Sequence, residues 1–140
     1  MSLTSHECVF LVDDDEDDRF LIKQVFRQYS PECKLKDLAN GEELLSALTE
    51  APELPSLVLL DLNMPLMGGM EALGRIRQNA IYNDVPVVIL TTSDHPQDQQ
   101  QAAQLGANGF LTKPVSIEAM NQLVLQVKKE WLQGKCTPGC

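Results

Sequence analysis

Three aspartates, two threonines and a lysine each stand directly behind a short apolar run. Asp13 and Asp14 follow Cys8–Val12, and Asp61 follows Leu57–Leu60. Thr91 and Thr92 follow Val85–Leu90, and Lys113 closes the run Asn108–Thr112. Three carboxylates drawn together repel, and a cation or a proton must relieve them. Oxygen ligands without a neighbouring histidine or thiolate suit a hard divalent ion, and few protein ligands completed by water suit Mg²⁺ in particular. Lys113 adds a second, fixed positive charge and Thr91 a hydroxyl donor. Such groups around one carboxylate make a clamp for a phosphoryl group, which works by positioning and charge neutralisation. Asp61 is the natural nucleophile, because an aspartyl phosphate is an accessible covalent state.

These residues meet only if the chain folds so that the ends of its apolar runs converge. Continuous runs such as Cys8–Val12 and Leu57–Leu60 suit parallel strands covered on both faces. Between them lie helical patterns. Phe20, Leu21, Ile22, Val25, Phe26 and Tyr29 form one stripe, stopped by Ser30-Pro31. Leu35–Ala39 reads as a weaker second strand, and Asn40-Gly41 turns into a helix with Leu44, Leu45 and Leu48. Gly68-Gly69 precedes a third helix with Met70, Leu73 and Ile76, in which Gly74 costs about 1 kcal/mol against alanine. Residues 97–104 predict a fourth helix, and Ile117, Met120, Val124, Val127 and Trp131 a fifth. Five strand–helix units predict an α/β fold with a parallel sheet and right-handed crossovers. In such folds the functional crevice lies outside the carboxyl ends of the strands, where all six polar residues fall.

Composition narrows the function. Twenty acids against 11 bases give a net charge of −9, and six acids sit in the single run 13–18. Without that run the charge would be −3. An acidic chain has no general electrostatic grip on nucleic acid or on an anionic membrane, and partners of both kinds are excluded on this ground. No apolar stretch reaches the length of a membrane span, and the N-terminus lacks the pattern of a signal peptide. Acids stabilise a helix N-terminus, which accounts for Asp15 to Asp18 as a solvated helix start. Asp13 and Asp14, at the end of a buried strand, need another explanation. Cys8 and Cys33 read as reduced thiols within strands, Cys136-x3-Cys140 is a poor zinc site, and the chain is expected to be cytoplasmic. His6 and His95 read as surface residues.

At this point the motifs resemble a known family. Leu-Val-Asp-Asp-Asp at 11–15, Leu-Leu-Asp-Leu-Asn-Met-Pro at 59–65 with Gly68-Gly69, Ile-Leu-Thr-Thr at 89–92 and Gly-Ala-Asn-Gly-Phe-Leu-Thr-Lys-Pro at 106–114 occur in order. Together they resemble the receiver domain of two-component response regulators. The resemblance implies a flavodoxin-like (βα)5 three-layer sandwich with strand order 2-1-3-4-5. It divides the chain into a tail at 1–7, a receiver domain at 8–132 and a short tail at 133–140 with no output domain. It makes Asp61 the phosphoacceptor, and gives Mg²⁺ to Asp13 (through water), Asp14, Asp61 and the backbone carbonyl of Asn63. Lys113 would contact the phosphoryl oxygens, with a cis bond to Pro114. Thr91 would move toward the phosphoryl group on activation, followed by the aromatic side chain of Phe110.

Two positions depart from the family pattern. Phe110 has no hydroxyl where tyrosine is frequent, so its coupling to Thr91 is expected to run through packing alone or to be weak. Thr92 replaces a smaller residue, which narrows access to the phosphoryl group and bears on phosphate lifetime. The expected partners are a sensor histidine kinase or histidine phosphotransfer domain, docking on the first helix, and a downstream protein. The face of helix four, strand five and helix five is a candidate surface for that target or for a homodimer. Lys-Lys-Glu-Trp-Leu at 128–132 resembles single-domain regulators paired with phytochrome-type kinases. The chain is thus expected to be a signalling phosphoacceptor rather than an enzyme acting on external substrates.

Rival chemistries fit less well. An aspartyl-phosphate hydrolase would want a second aspartate where Asn63 stands. A calcium loop would want glycine at Asp18 and glutamate at Gln24. A flavin module would want a hydroxyl- and glycine-rich loop in place of the acids. A pseudo-receiver, folded but never phosphorylated, remains the alternative.

Overall fold

The computed structural model describes residues 7–132. The expected tails at 1–7 and 133–140, and with them His6, Cys136 and Cys140, fall outside the described residues except for the backbone of Glu7. Five strands, β1 (Glu7–Val12), β2 (Lys34–Leu38), β3 (Leu57–Leu60), β4 (Val87–Thr91) and β5 (Gly109–Thr112), alternate with five helices. These are α1 (Glu16–Tyr29), α2 (Gly41–Glu50), α3 (Gly69–Gln78), α4 (Pro96–Gln104) and α5 (Ile117–Val127). A 3₁₀ turn at Ala80–Tyr82 follows α3, and a π-helical turn at Lys128–Leu132 extends α5. The strands form one parallel sheet in the order β2-β1-β3-β4-β5, the expected flavodoxin-like topology.

Alternate residues of β1 divide the core into two layers, as strand geometry requires. Val9 and Leu11 face Ile22, Val25 and Phe26 of α1 and Met120, Val124 and Val127 of α5. Phe10 and Val12 face Leu44 and Leu48 of α2 and Leu73 and Ile76 of α3, with Ala102 of α4. β3 and β4 are buried at every position, which is why their sequences are continuous apolar runs. Each fully buried leucine, such as Leu57, Leu59 or Leu60, contributes about 1.5–3 kcal/mol through removal from water. Side chains also start the helices. Asp15 accepts from the N–H groups of Asp17 and Asp18, Asn40 from Glu43 and Ser116 from Ala119.

The structure corrects several expectations. β2 begins and ends one residue earlier than expected, and β4 starts only after Pro86, whose carbonyl accepts from Val58 N–H. Phe20 is exposed, so the buried stripe of α1 is narrower than its apolar pattern suggests. Ile117 is also exposed, because the buried face of α5 begins one turn later at Met120. Cys33 lies just ahead of β2, and it is disulfide-bonded where a reduced thiol was expected. Its side chain packs among Val25, Phe26 and their neighbours in the α1–α5 layer.

Candidate functional site

Strand register brings the site together. Val12 pairs with Leu60, and Asp61 N–H donates to Val12 carbonyl at 2.9 Å, so the ends of β1 and β3 lie side by side. Asp13 N–H donates to Leu38 carbonyl, which ties the same end to β2. Thr91 pairs with Thr112, and Lys113 N–H donates to Thr91 carbonyl at 2.8 Å. The loop after Asp61 is then folded tightly back. Gly69 N–H donates to Leu62 carbonyl, and a Cβ at Gly69 would stand 2.2 Å from Asp61 carbonyl oxygen. Only glycine admits that approach. Leu66, at the outside of the loop, sits at φ 66°, a left-handed conformation unusual for a side chain of its size.

Asp13 and Asp61 are almost fully buried, at 1% and 5% exposure, while Asp14 is exposed. Each of the three offers a carboxylate oxygen, and these oxygens all lie within 4.8 Å of one another. The Lys113 ammonium sits among carboxylates: 2.6 Å from Asp13 Oδ2, 3.0 Å from Asp18 Oδ2 and 3.3 Å from Asp61 Oδ2. Those to Asp18 and Asp61 are aligned hydrogen bonds. The approach to Asp13 Oδ2 is the shortest of the three, a close ion pair with poorer hydrogen-bond alignment, and Lys113 is the one group that serves this buried oxygen. Three carboxylate oxygens this close, two of them on buried side chains and sharing a single ammonium, are what a hard cation would satisfy. The residues present therefore fit a divalent metal ion.

Ionisation follows from this crowding. Burial pushes the Asp13 carboxyl above its ordinary range, and the Asp61 charge adds to that, against the opposing pull of Lys113 and of Asp15 N–H. Burial alone would lower the Lys113 ammonium, but hydrogen bonds to Asp13 and Asp18 and the charges of Asp13 and Asp61 carry it well above the usual lysine range. Lys113 is thus a permanent cation, and one ammonium stands against a local excess of carboxylates.

The hydroxyls sit as their strand ends dictate. Thr91 is fully buried, with Oγ1 accepting from Ser93 N–H at 3.4 Å, whereas Thr92 is exposed. Asn63 donates its backbone N–H to Asp61 Oδ1 at 3.4 Å, and its side chain is exposed. Phe110 is half-buried on β5 and packs on the layer that holds α3 and α4. The bond from Lys113 to Pro114 is trans, not cis as the family pattern implied; no peptide bond among the described residues is cis. Trans is the lower-energy isomer before proline by about 0.5–1 kcal/mol. His95 is exposed ahead of α4 and remains outside the site.

Two contributors were not foreseen. The sequence places Asp18 in a solvated helix start, yet its carboxylate reaches Lys113 across 95 residues of sequence. Arg19 donates from Nη1 to Asp13 carbonyl at 2.5 Å and from Nε to Asp37 at 3.1 Å, which ties α1 to the ends of β1 and β2. No sequence signal distinguishes Asp18 from Asp17; only the direction of α1 over the sheet does.

Comparison with known proteins agrees with this geometry. Residues 9–125 match the model of the response regulator receiver domain. The response regulator Rcp1 of a Synechocystis species is 31% identical over 135 residues, spanning 93% of this chain and 92% of its own length. The structure of the phosphorylated cyanobacterial phytochrome response regulator RcpA superposes with a TM-score of 0.84 at 28% identity, covering 91% of this chain and 95% of that one. The Mn²⁺-bound form of Rcp1 gives 0.80 at 30% identity, covering 90% and 94%.

Proposed function

The chain belongs to the response regulator receiver family of two-component signalling, and from that premise we propose that Asp61 accepts a phosphoryl group from a histidine kinase or a histidine phosphotransfer protein. The observation that carries the proposal is the convergence of Asp13, Asp14, Asp61 and Lys113 at one end of the sheet. In the step, an Asp61 carboxylate oxygen attacks phosphorus, the P–N bond to the donor imidazole breaks and the imidazole leaves with the electron pair. Mg²⁺, held by Asp13, Asp14, Asp61 and the Asn63 carbonyl, would neutralise charge on the transferring oxygens. The neighbouring Rcp1 structure, described as Mn²⁺-bound, supports a divalent ion here.

Each residue then has a defined task. Asp61 supplies the nucleophile from a loop fixed by Gly69. Lys113, cationic throughout, holds a phosphoryl oxygen. Thr91 turns its hydroxyl toward the phosphoryl group, and Phe110 follows by packing. Thr92, exposed at the rim, limits the approach of water and so bears on phosphate lifetime. The phosphorylated state signals by protein contact, to a target or a second copy, through the face of α4, β5 and α5. The similarity to phytochrome response regulators supports a sensor kinase as the donor, and a cytoplasmic location is part of the proposal. No helix among the described residues is long and apolar enough to cross a membrane.

Incubation with acetyl phosphate and Mg²⁺, followed by intact-mass measurement, tests the proposal. One phosphoryl adduct is expected on the wild type and none on Asp61→Asn. An unmodified wild type would support the pseudo-receiver instead, and an adduct that persists in Asp61→Asn would place the chemistry elsewhere.

A further inference from the structure

Three carboxylate oxygens already crowd the Lys113 ammonium: aligned bonds run to Asp18 and Asp61, and Asp13 Oδ2 forms an ion pair at 2.6 Å. A phosphoryl oxygen on Asp61 can gain this ammonium only if one acceptor gives way. Asp13 is buried and fits the metal site, and the Asp61 oxygen left unesterified stays on the same buried side chain, so neither can swing out into water. Asp18 differs in every respect. It belongs to the first turn of α1, is not among the clustered metal-fit carboxylates, and its side chain is 39% exposed. Water can solvate it as soon as it lets go.

We propose that Asp18 is a positioning residue, the resting-state partner of Lys113 that a phosphoryl oxygen must displace. This rests on the assignment of Asp61 as phosphoacceptor. Asp18 keeps the ammonium aimed at the site while no phosphoryl group is present, and it competes for the same N–H once one arrives. Its negative charge also opposes the dianion that forms nearby. The competition makes phosphoryl occupancy weaker than the remaining residues alone would make it. It also couples the site to α1, because the released carboxylate changes the charge on the first turn of that helix.

The test compares wild type, Asp18→Asn and Asp17→Asn. The last removes the same charge from the same helical turn, at an exposed residue. Beryllofluoride with Mg²⁺ serves as the phosphoryl mimic, titrated by calorimetry. In metal-free protein, the Lys113 side-chain ammonium is followed by ¹⁵N NMR. Asp18→Asn should bind the mimic about two- to fivefold more tightly, the scale of a partly exposed ion pair. It should also shift the Lys113 ammonium resonance, while Asp17→Asn leaves both near wild type. Equal or weaker binding by Asp18→Asn would overturn the proposal, as would an equal gain in Asp17→Asn or an unmoved ammonium signal. If the wild type takes up no mimic, the phosphoacceptor assignment fails and this proposal with it. If it does and Asp18→Asn is unchanged, only this proposal fails.

Discussion

One substitution made at two glycines should have opposite effects. At Gly69 a Cβ would lie 2.2 Å from Asp61 carbonyl oxygen and 2.9 Å from Leu62 Cα. Ordinary contact begins near 3.4 Å, so Gly69→Ala must open the loop by about 1.2 Å. Both obstructing atoms are backbone. They are held by Asp61 N–H on Val12 carbonyl and Gly69 N–H on Leu62 carbonyl, so relief requires breaking one of those bonds. Overpacking of this kind costs about 1–3 kcal/mol, offset by about 0.4–1 kcal/mol from a stiffer unfolded chain. With rigid obstacles the net should be near 2 kcal/mol destabilising. Gly74, inside α3, has only Leu105 Cδ2 at 3.9 Å, so alanine fits and should stabilise by about 1 kcal/mol. With a urea slope of about 2 kcal/mol per M, the midpoint should fall by about 1 M in Gly69→Ala and rise by about 0.5 M in Gly74→Ala. Gly69→Ala should also lose acetyl phosphate labelling, since the displaced loop carries Asp61. A Gly69→Ala midpoint at or above wild type would refute the steric reasoning.

Other perturbations follow from the same geometry. Mg²⁺ at ten times its Kd should stabilise the fold by about 1.4 kcal/mol, a rise in Tm of a few degrees. The double substitution Asp13→Ala with Asp14→Ala should abolish that rise in differential scanning fluorimetry. Arg77 donates to the carbonyls of Gly106, Tyr82 and Val85 and to Asn108 Oδ1, so Arg77→Ala should cost about 2–4 kcal/mol in urea denaturation. Arg77→Lys should recover little of it, because an ammonium lacks the guanidinium fork. In chelator, the raised Asp13 pKa means that its contribution is full below the unfolded value of 3.8 and is lost as pH rises through the folded one. The stability of the wild type relative to Asp13→Asn should therefore fall as pH increases from about 4; a difference that is flat or rises would contradict it.

The strand-end residues were legible because a continuous apolar run fixes a buried strand, and the residue behind it must emerge at the sheet's edge. Asp13, Asp61, Thr91 and Lys113 were found this way, and the sheet order followed from the family motifs. Asp18 was not, because Asp17 and Asp18 are equivalent in composition and differ only by a rotation about α1. Phe20 and Ile117 misled for the same reason: an apolar residue marks a face only when the helix's neighbours are known. The Cys33 bond was not legible, because the place of a cysteine beside a strand does not state its oxidation. The trans peptide at Lys113–Pro114 was missed because the expectation came from family pattern and not from any local residue.

The place of β1 has a consequence for how the chain is made. Of the five described strands it is synthesised before the others, yet it lies inside the sheet between β2 and β3. Its pairing with β3 joins Val9 to Leu57 and Val12 to Leu60, so half its edge waits for residues about 48 positions later. At a synthesis rate of about 5–20 residues per second, that wait is several seconds. Throughout it, Val9–Val12 is a bare apolar ribbon with β2 as its sole possible neighbour in the sheet. A nascent chain in that state is open to wrong strand pairing, and slow passage through residues 40–60 would lengthen the exposure without altering the finished protein.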